Sequence, residues 1–147
     1  MSTPPSRPRM TGIGRVLVIV YAIMALAATG RSFVQIVQRF DEAPLAYSLS
    51  ALAAVVYILA TLALVFSASA IWYRIAWVAI GFELAGVLIV GTLSFVLLDL
   101  FAHPTVWSWF GGGYLLVPLV LPFLGLWWLW THRARVTAQP HTASVAP

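Results

Sequence analysis

Residues 75–98 read IAWVAIGFELAGVLIVGTLSFVLL, an apolar run interrupted by a single charge, Glu83. A helix rises 1.5 Å per residue, and about 20 apolar residues cross a hydrocarbon core of ~30 Å. This run is long enough to span a bilayer, and it has no polar face that could be turned to water. Three further runs of the same kind lie around it. Residues 13–29 are broken only by Gly14 and Arg15 near their start, and residues 45–66 and 113–130 carry no charge. The four runs predict an all-α, integral membrane four-helix bundle over residues 12–130. The connections are 30–44, 67–74 and 99–112. The tails, 1–11 and 131–147, are rich in Pro, Ser and Thr without a periodic apolar face, and are expected to be flexible and cytoplasmic.

Composition supports the same class. Of 147 residues, 62% are hydrophobic and 8% charged, and the mean hydropathy is +0.97; soluble domains are nearer 25% charged. The net charge of +4 comes from arginines alone, with no lysine. These are too few and too scattered to form a phosphate-binding surface, so nucleic acid is not an expected partner. With no cysteine, disulfides, thiolate metal sites and thiol exchange are excluded. His103, His132 and His141 all lie outside the long runs, which removes bis-histidine haem ligation within a bundle. The runs hold no His or Lys to serve an intramembrane serine nucleophile, and there is no Gly-rich phosphate loop. Asp41, Glu42, Asp99 and His103 have no spacing that requires a metal. The chain is expected to be non-enzymatic, without cofactor or metal.

Orientation follows from arginine placement. With the N-terminus inside, Arg7, Arg9, Arg15, Arg74, Arg133 and Arg135 are cytoplasmic, and Arg31 and Arg39 are outside. Both termini are therefore expected inside, in the cell (inner) membrane. Trp72, Tyr73, Trp77, Trp127, Trp128 and Trp130 are expected at the inner interface, and Trp107, Trp109 and Tyr114 at the outer one. Arg7, Arg9, the apolar run from Val16 and the stretch Ala25-Leu26-Ala27 imitate a cleavable signal peptide; the adopted reading is an uncleaved first span. Phe33, Ile36, Val37 and Phe40 fall at i, i+3, i+4 and i+7. This amphipathic stretch either lies flat on the outer leaflet or, as we read it, extends the first helix outward.

The runs share a polar layer. A carboxylate at the bilayer centre costs several kcal/mol, so Glu83 should face the bundle and find a partner, or stay protonated. At about 1.5 Å per residue, Glu83, Tyr21 and Tyr57 fall at one depth. Each sits on a stripe of small residues: Ala46, Ser50, Ala54, Tyr57 and Thr61 in the second run, and Ala76, Ala79, Glu83, Gly86 and Val90 in the third. Gly14, Tyr21, Ala25 and Ala28 align in the first. Small residues let membrane helices approach, so a tyrosine hydroxyl is expected to satisfy the carboxyl. In the fourth run, Pro118 and Pro122 are expected to kink the helix by removing two backbone hydrogen bonds.

Four stretches, ATGRS at 28–32, DEAPLAYSLSALAAVVYILAT at 41–61, FELAGVLIVGTLS at 82–94 and VPLVLP at 117–122, resemble a group of small four-span integral membrane proteins of actinobacteria. The likeness covers roughly residues 13–130. It implies a fold and a location and supplies no catalytic residues; the likeness to DoxX-like four-span proteins is one of layout only. The leading expectation for function is a small accessory or partner-binding membrane subunit, with the lipid bilayer and another membrane protein or a second copy as partners. The alternative is a small proton- or cation-coupled transporter that uses Glu83 as its exchange carboxylate, with Tyr21, Tyr57 and Thr61 beside it.

Overall fold

In the computed structural model, residues 10 and 12–133 are described. Four helices follow one another: α1 (Gly12–Arg39), α2 (Pro44–Val65), α3 (Ala70–Val96) and α4 (Val117–Thr131). A 3₁₀ turn lies at Phe40–Glu42, and Ser108–Tyr114 is an irregular turn segment with left-handed residues at Trp109, Phe110 and Gly111. The flexibility expected of the tails concerns mainly residues outside the described ones, although Thr131 closes α4.

The helices pack in a ring, α1 on α2, α2 on α3, α3 on α4 and α4 back on α1. The buried faces are those that the small-residue stripes predict. Tyr21, Ala25 and Ala28 point inward from α1, Ser50, Ala54 and Tyr57 from α2, and Ala76, Ala79 and Glu83 from α3. Large apolar side chains on the opposite faces, such as Leu26 and Val78, are exposed, as a lipid-facing surface requires. At the 67–74 end, the Tyr73 hydroxyl donates to the Leu129 carbonyl at 2.6 Å, and Gly14 leaves space for the Trp128 ring.

Three helices, the first three, are long and apolar enough to cross a membrane. The chain is thus an all-helical, multi-pass membrane protein. The fourth run departs from expectation. Instead of a span over 113–130, the chain forms the turn segment Ser108–Tyr114 and then a helix bent 99° from it. The 15 residues of α4 reach only about 22 Å. Pro118 is therefore not a kink: it occupies the first turn of α4, where its missing N–H costs no helical bond. Only Pro122 lies inside the helix.

The stretch 31–39 extends α1 without a break, as the favoured reading has it; no helix breaker precedes it. Trp107 contradicts the interfacial assignment: it is 1% exposed, its ring drawn into the bundle where Gly86 leaves room for it. Trp128 stays at the 67–74 end but is buried against Gly14.

Candidate functional site

Glu83 stands midway along α3, thirteen residues from Ala70 and thirteen from Val96. That places it about 20 Å from either end of the helix. It is fully buried, as are Tyr21 and Tyr57. The Tyr21 hydroxyl donates to Glu83 Oε2 at 2.7 Å, so the expected tyrosine–carboxyl pair forms between α1 and α3. The rings of Tyr21 and Tyr57 lie 6.3 Å apart, tilted by 48°, which brings α2 into the same cluster. The other carboxyl oxygen, Oε1, is buried without a hydrogen-bond partner. Buried polar atoms are nearly always paired, so this oxygen marks unspent binding capacity midway along α3.

The remaining candidates lie apart from this centre. Thr61 is half-buried, and its hydroxyl is spent on the Tyr57 carbonyl one turn earlier in its own helix, at 2.7 Å. Pro118 packs against Gly111 at the start of α4. Pro122 is fully buried in α4. One turn on, Gly125 approaches Tyr21: a Cβ there would stand 3.4 Å from the Tyr21 hydroxyl oxygen.

The cluster is completed by a residue that the sequence reading placed at the outer interface. Trp107 Nε1 donates to the Tyr57 hydroxyl at 3.2 Å. Its ring covers Gly86, where a Cβ would come within 2.7 Å of the indole. Phe82 meets the ring edge-on, with centroids 6.4 Å apart. Gly86 lies ten residues, about 15 Å, below the end of α3. The chain after Val96 must therefore turn back into the bundle to deliver this side chain.

Local chemistry holds the inturned segment. Thr105 Oγ1 accepts from the N–H groups of Trp107 at 3.1 Å and Ser108 at 3.0 Å. Ser108 Oγ accepts from the Thr105 N–H at 2.9 Å. This reciprocal exchange satisfies backbone donors that no helix serves, as buried irregular backbone requires. Arg31 of α1 donates to the Pro104 carbonyl at 2.7 Å, and its guanidinium lies 5.9 Å from the centre of the Tyr114 ring. Phe110 covers Gly91 as Trp107 covers Gly86. The turn is strained: Trp109, Phe110, Leu115 and Leu116 all have positive φ, between 51° and 60°. Left-handed conformation costs a side-chain-bearing residue roughly 1–2 kcal/mol. The buried ring of Trp107 and the half-buried ring of Phe110 hold the segment against that cost.

A sequence signal for this arrangement existed. Thr105 and Ser108 are spaced to cap each other's backbone, the tryptophan lies between them, and Gly86 follows the acid by one turn on the same face. Among the described residues, no group of three or more His, Cys, Asp or Glu side chains could hold a metal. The chain matches no protein family, no curated protein and no solved structure.

Proposed function

We propose that this is a small, non-enzymatic cell-membrane protein that exchanges a proton or a cation at Glu83. The observation that carries this reading is the unpartnered Oε1 of a carboxyl buried midway along α3. The turn segment Ser108–Tyr114 and α4, bent 99° from it, both pack on α3. Intramembrane acids facing a bundle interior mark proton relays and ion paths, and interrupted helices beside a midplane site are the usual architecture of transporters. The geometry thus favours the second of the two expected functions. In this reading the α4 helix and the inturned segment together make the fourth crossing of a bundle with both termini in the cytoplasm. Cysteines introduced at Gln38 and Ala102 should then label from outside and one at Ser69 from inside; labelling at position 38 from the cytoplasm alone would reverse the orientation.

The test is a pair of variants. Glu83→Gln keeps shape and hydrogen bonding but cannot release a proton. It should fold with unchanged thermal stability and lose any pH-gradient-dependent flux. Glu83→Ala should destabilise by about 1–3 kcal/mol, because the Tyr21 hydroxyl loses its acceptor. A Gln variant that retains flux would sink the exchange reading.

The accessory-subunit reading is supported by one different observation, the short Tyr21–Glu83 bond between fully buried groups. In that case the pair is a structural tie between α1 and α3, and the function lies with a partner in the membrane or a second copy of the chain. Co-purification in mild detergent, with an unchanged Gln phenotype, is the result this reading expects.

A further inference from the structure

Trp107 fills a slot that other elements build. Gly86 forms the floor, since any Cβ there would stand within 2.7 Å of the indole. Phe82 closes one edge, at 6.4 Å between centroids. Tyr57 receives the indole N–H at 3.2 Å. Glu83 sits between Phe82 and Gly86 in sequence, and its Oε1 is buried and unpartnered. The residue that fills the slot is carried on a segment with four side-chain-bearing residues in left-handed conformation, so its withdrawal relieves backbone strain.

We propose that Trp107 is a displaceable occupant, and that the slot binds a small planar aromatic ammonium ion in its place, ring over Gly86 and ammonium against Glu83. The inference rests on the exchange reading of Glu83. Three features set the ligand class. A slot that holds an indole over a glycine selects a flat ring. A carboxyl oxygen without a partner selects a cationic N–H donor. The Tyr57 hydroxyl, which receives the indole N–H at 3.2 Å, is a second acceptor that a ligand N–H can use once Trp107 has left. Calcium needs six to eight oxygen ligands, whereas this cluster of side chains offers two carboxyl and two phenol oxygens. An anion would face the carboxylate.

Tryptamine is the probe, and indole is its neutral control with the same ring. Their equilibrium binding is measured by calorimetry on purified protein in detergent, for wild type, Trp107→Ala and Trp107→Ala with Glu83→Gln. Removing the built-in occupant removes its competition. Tryptamine should bind Trp107→Ala at least tenfold tighter than wild type, and at least tenfold tighter than indole does. Adding Glu83→Gln should abolish that preference. Equal binding of indole and tryptamine to Trp107→Ala, or no gain over wild type, would overturn the proposal. If Trp107→Ala does not fold, Trp107→Phe keeps a ring but frees the Tyr57 hydroxyl and should show a smaller gain for tryptamine; no gain there overturns the proposal as well. Proton release on tryptamine addition is recorded in parallel on wild type. A Glu83-dependent preference without proton release supports the slot and overturns the exchange reading. Proton release without the preference does the reverse.

Discussion

The buried faces of α1 and α2 are lined with alanines: Ala25 and Ala28 on one helix, Ala46, Ala53, Ala54, Ala60 and Ala63 on the other. Over the C-terminal half of α3, rings are instead seated on glycines, Trp107 on Gly86 and Phe110 on Gly91. Both solutions bring backbone close to its neighbour by removing side-chain bulk. They differ in what fills the space. Between α1 and α2 a second regular helix does, and the backbone away from the helix ends is bonded within its own helix. Beside α3 an irregular segment does, and its backbone must be satisfied by Thr105, Ser108 and Arg31. The regular seam gives rigidity. The irregular one places a tryptophan against Gly86 and the Tyr57 hydroxyl, beside the tyrosine pair of which Tyr21 holds Glu83.

The contrast breaks most severely at the regular seam. Ala53 is fully buried, and a leucine there must force apart helices that cannot yield locally. Ala53→Leu should cost about 3 kcal/mol, at the upper end of overpacking penalties, with a lower thermal midpoint and poor recovery from detergent. Survival near the wild-type midpoint would show that the α2 face is looser than the alanines imply.

A smaller loss is expected where the neighbour can move. Gly86→Leu collides with a ring on a strained segment, which can swing outward. It should cost about 2 kcal/mol while the helices remain assembled, and a cysteine at Ser108 should label much faster than in the wild-type background. Leu88→Ala, on the exposed side of the same helix, should cost under about 1 kcal/mol. Equal losses for the two would mean that the Gly86 face is not filled by Trp107.

The mildest change sharpens the account of the segment itself. Thr105→Val keeps the volume but removes the acceptor for two buried N–H groups. It should cost about 1–2 kcal/mol and raise hydrogen exchange locally, at Trp107 and Ser108, with α1 and α2 unaffected. Protection lost evenly across the protein would instead mean that the segment and the seam unfold as one unit.

Much of this was legible in the chain. The three long spans, the inward stripes of small residues and the meeting of Tyr21 with Glu83 all follow from helical periodicity and from the cost of an unpaired carboxyl in lipid. These are local or one-dimensional constraints. The bond from the Thr61 hydroxyl to the Tyr57 carbonyl was not foreseen, because a threonine in a helix can satisfy its hydroxyl on its own backbone. Pro118 was misjudged because proline tolerates the first turn of a helix as readily as it kinks the interior, and composition cannot say where the helix starts.

Sequence alone determined the class of the molecule, an all-helical membrane chain with one acid that has to be buried. The aqueous phase offers too little to so apolar a chain, and the bilayer too little to Glu83. Tertiary structure decided where residues 97–116 go. That segment mixes apolar residues with Asp99, His103, Thr105, Ser108 and three glycines, and its path depends on which neighbour fills the groove above Gly86 and Gly91. Two glycines create the vacancy, a Thr–Ser pair makes the irregular backbone tolerable, and only the assembled helices bring these distant features to one place.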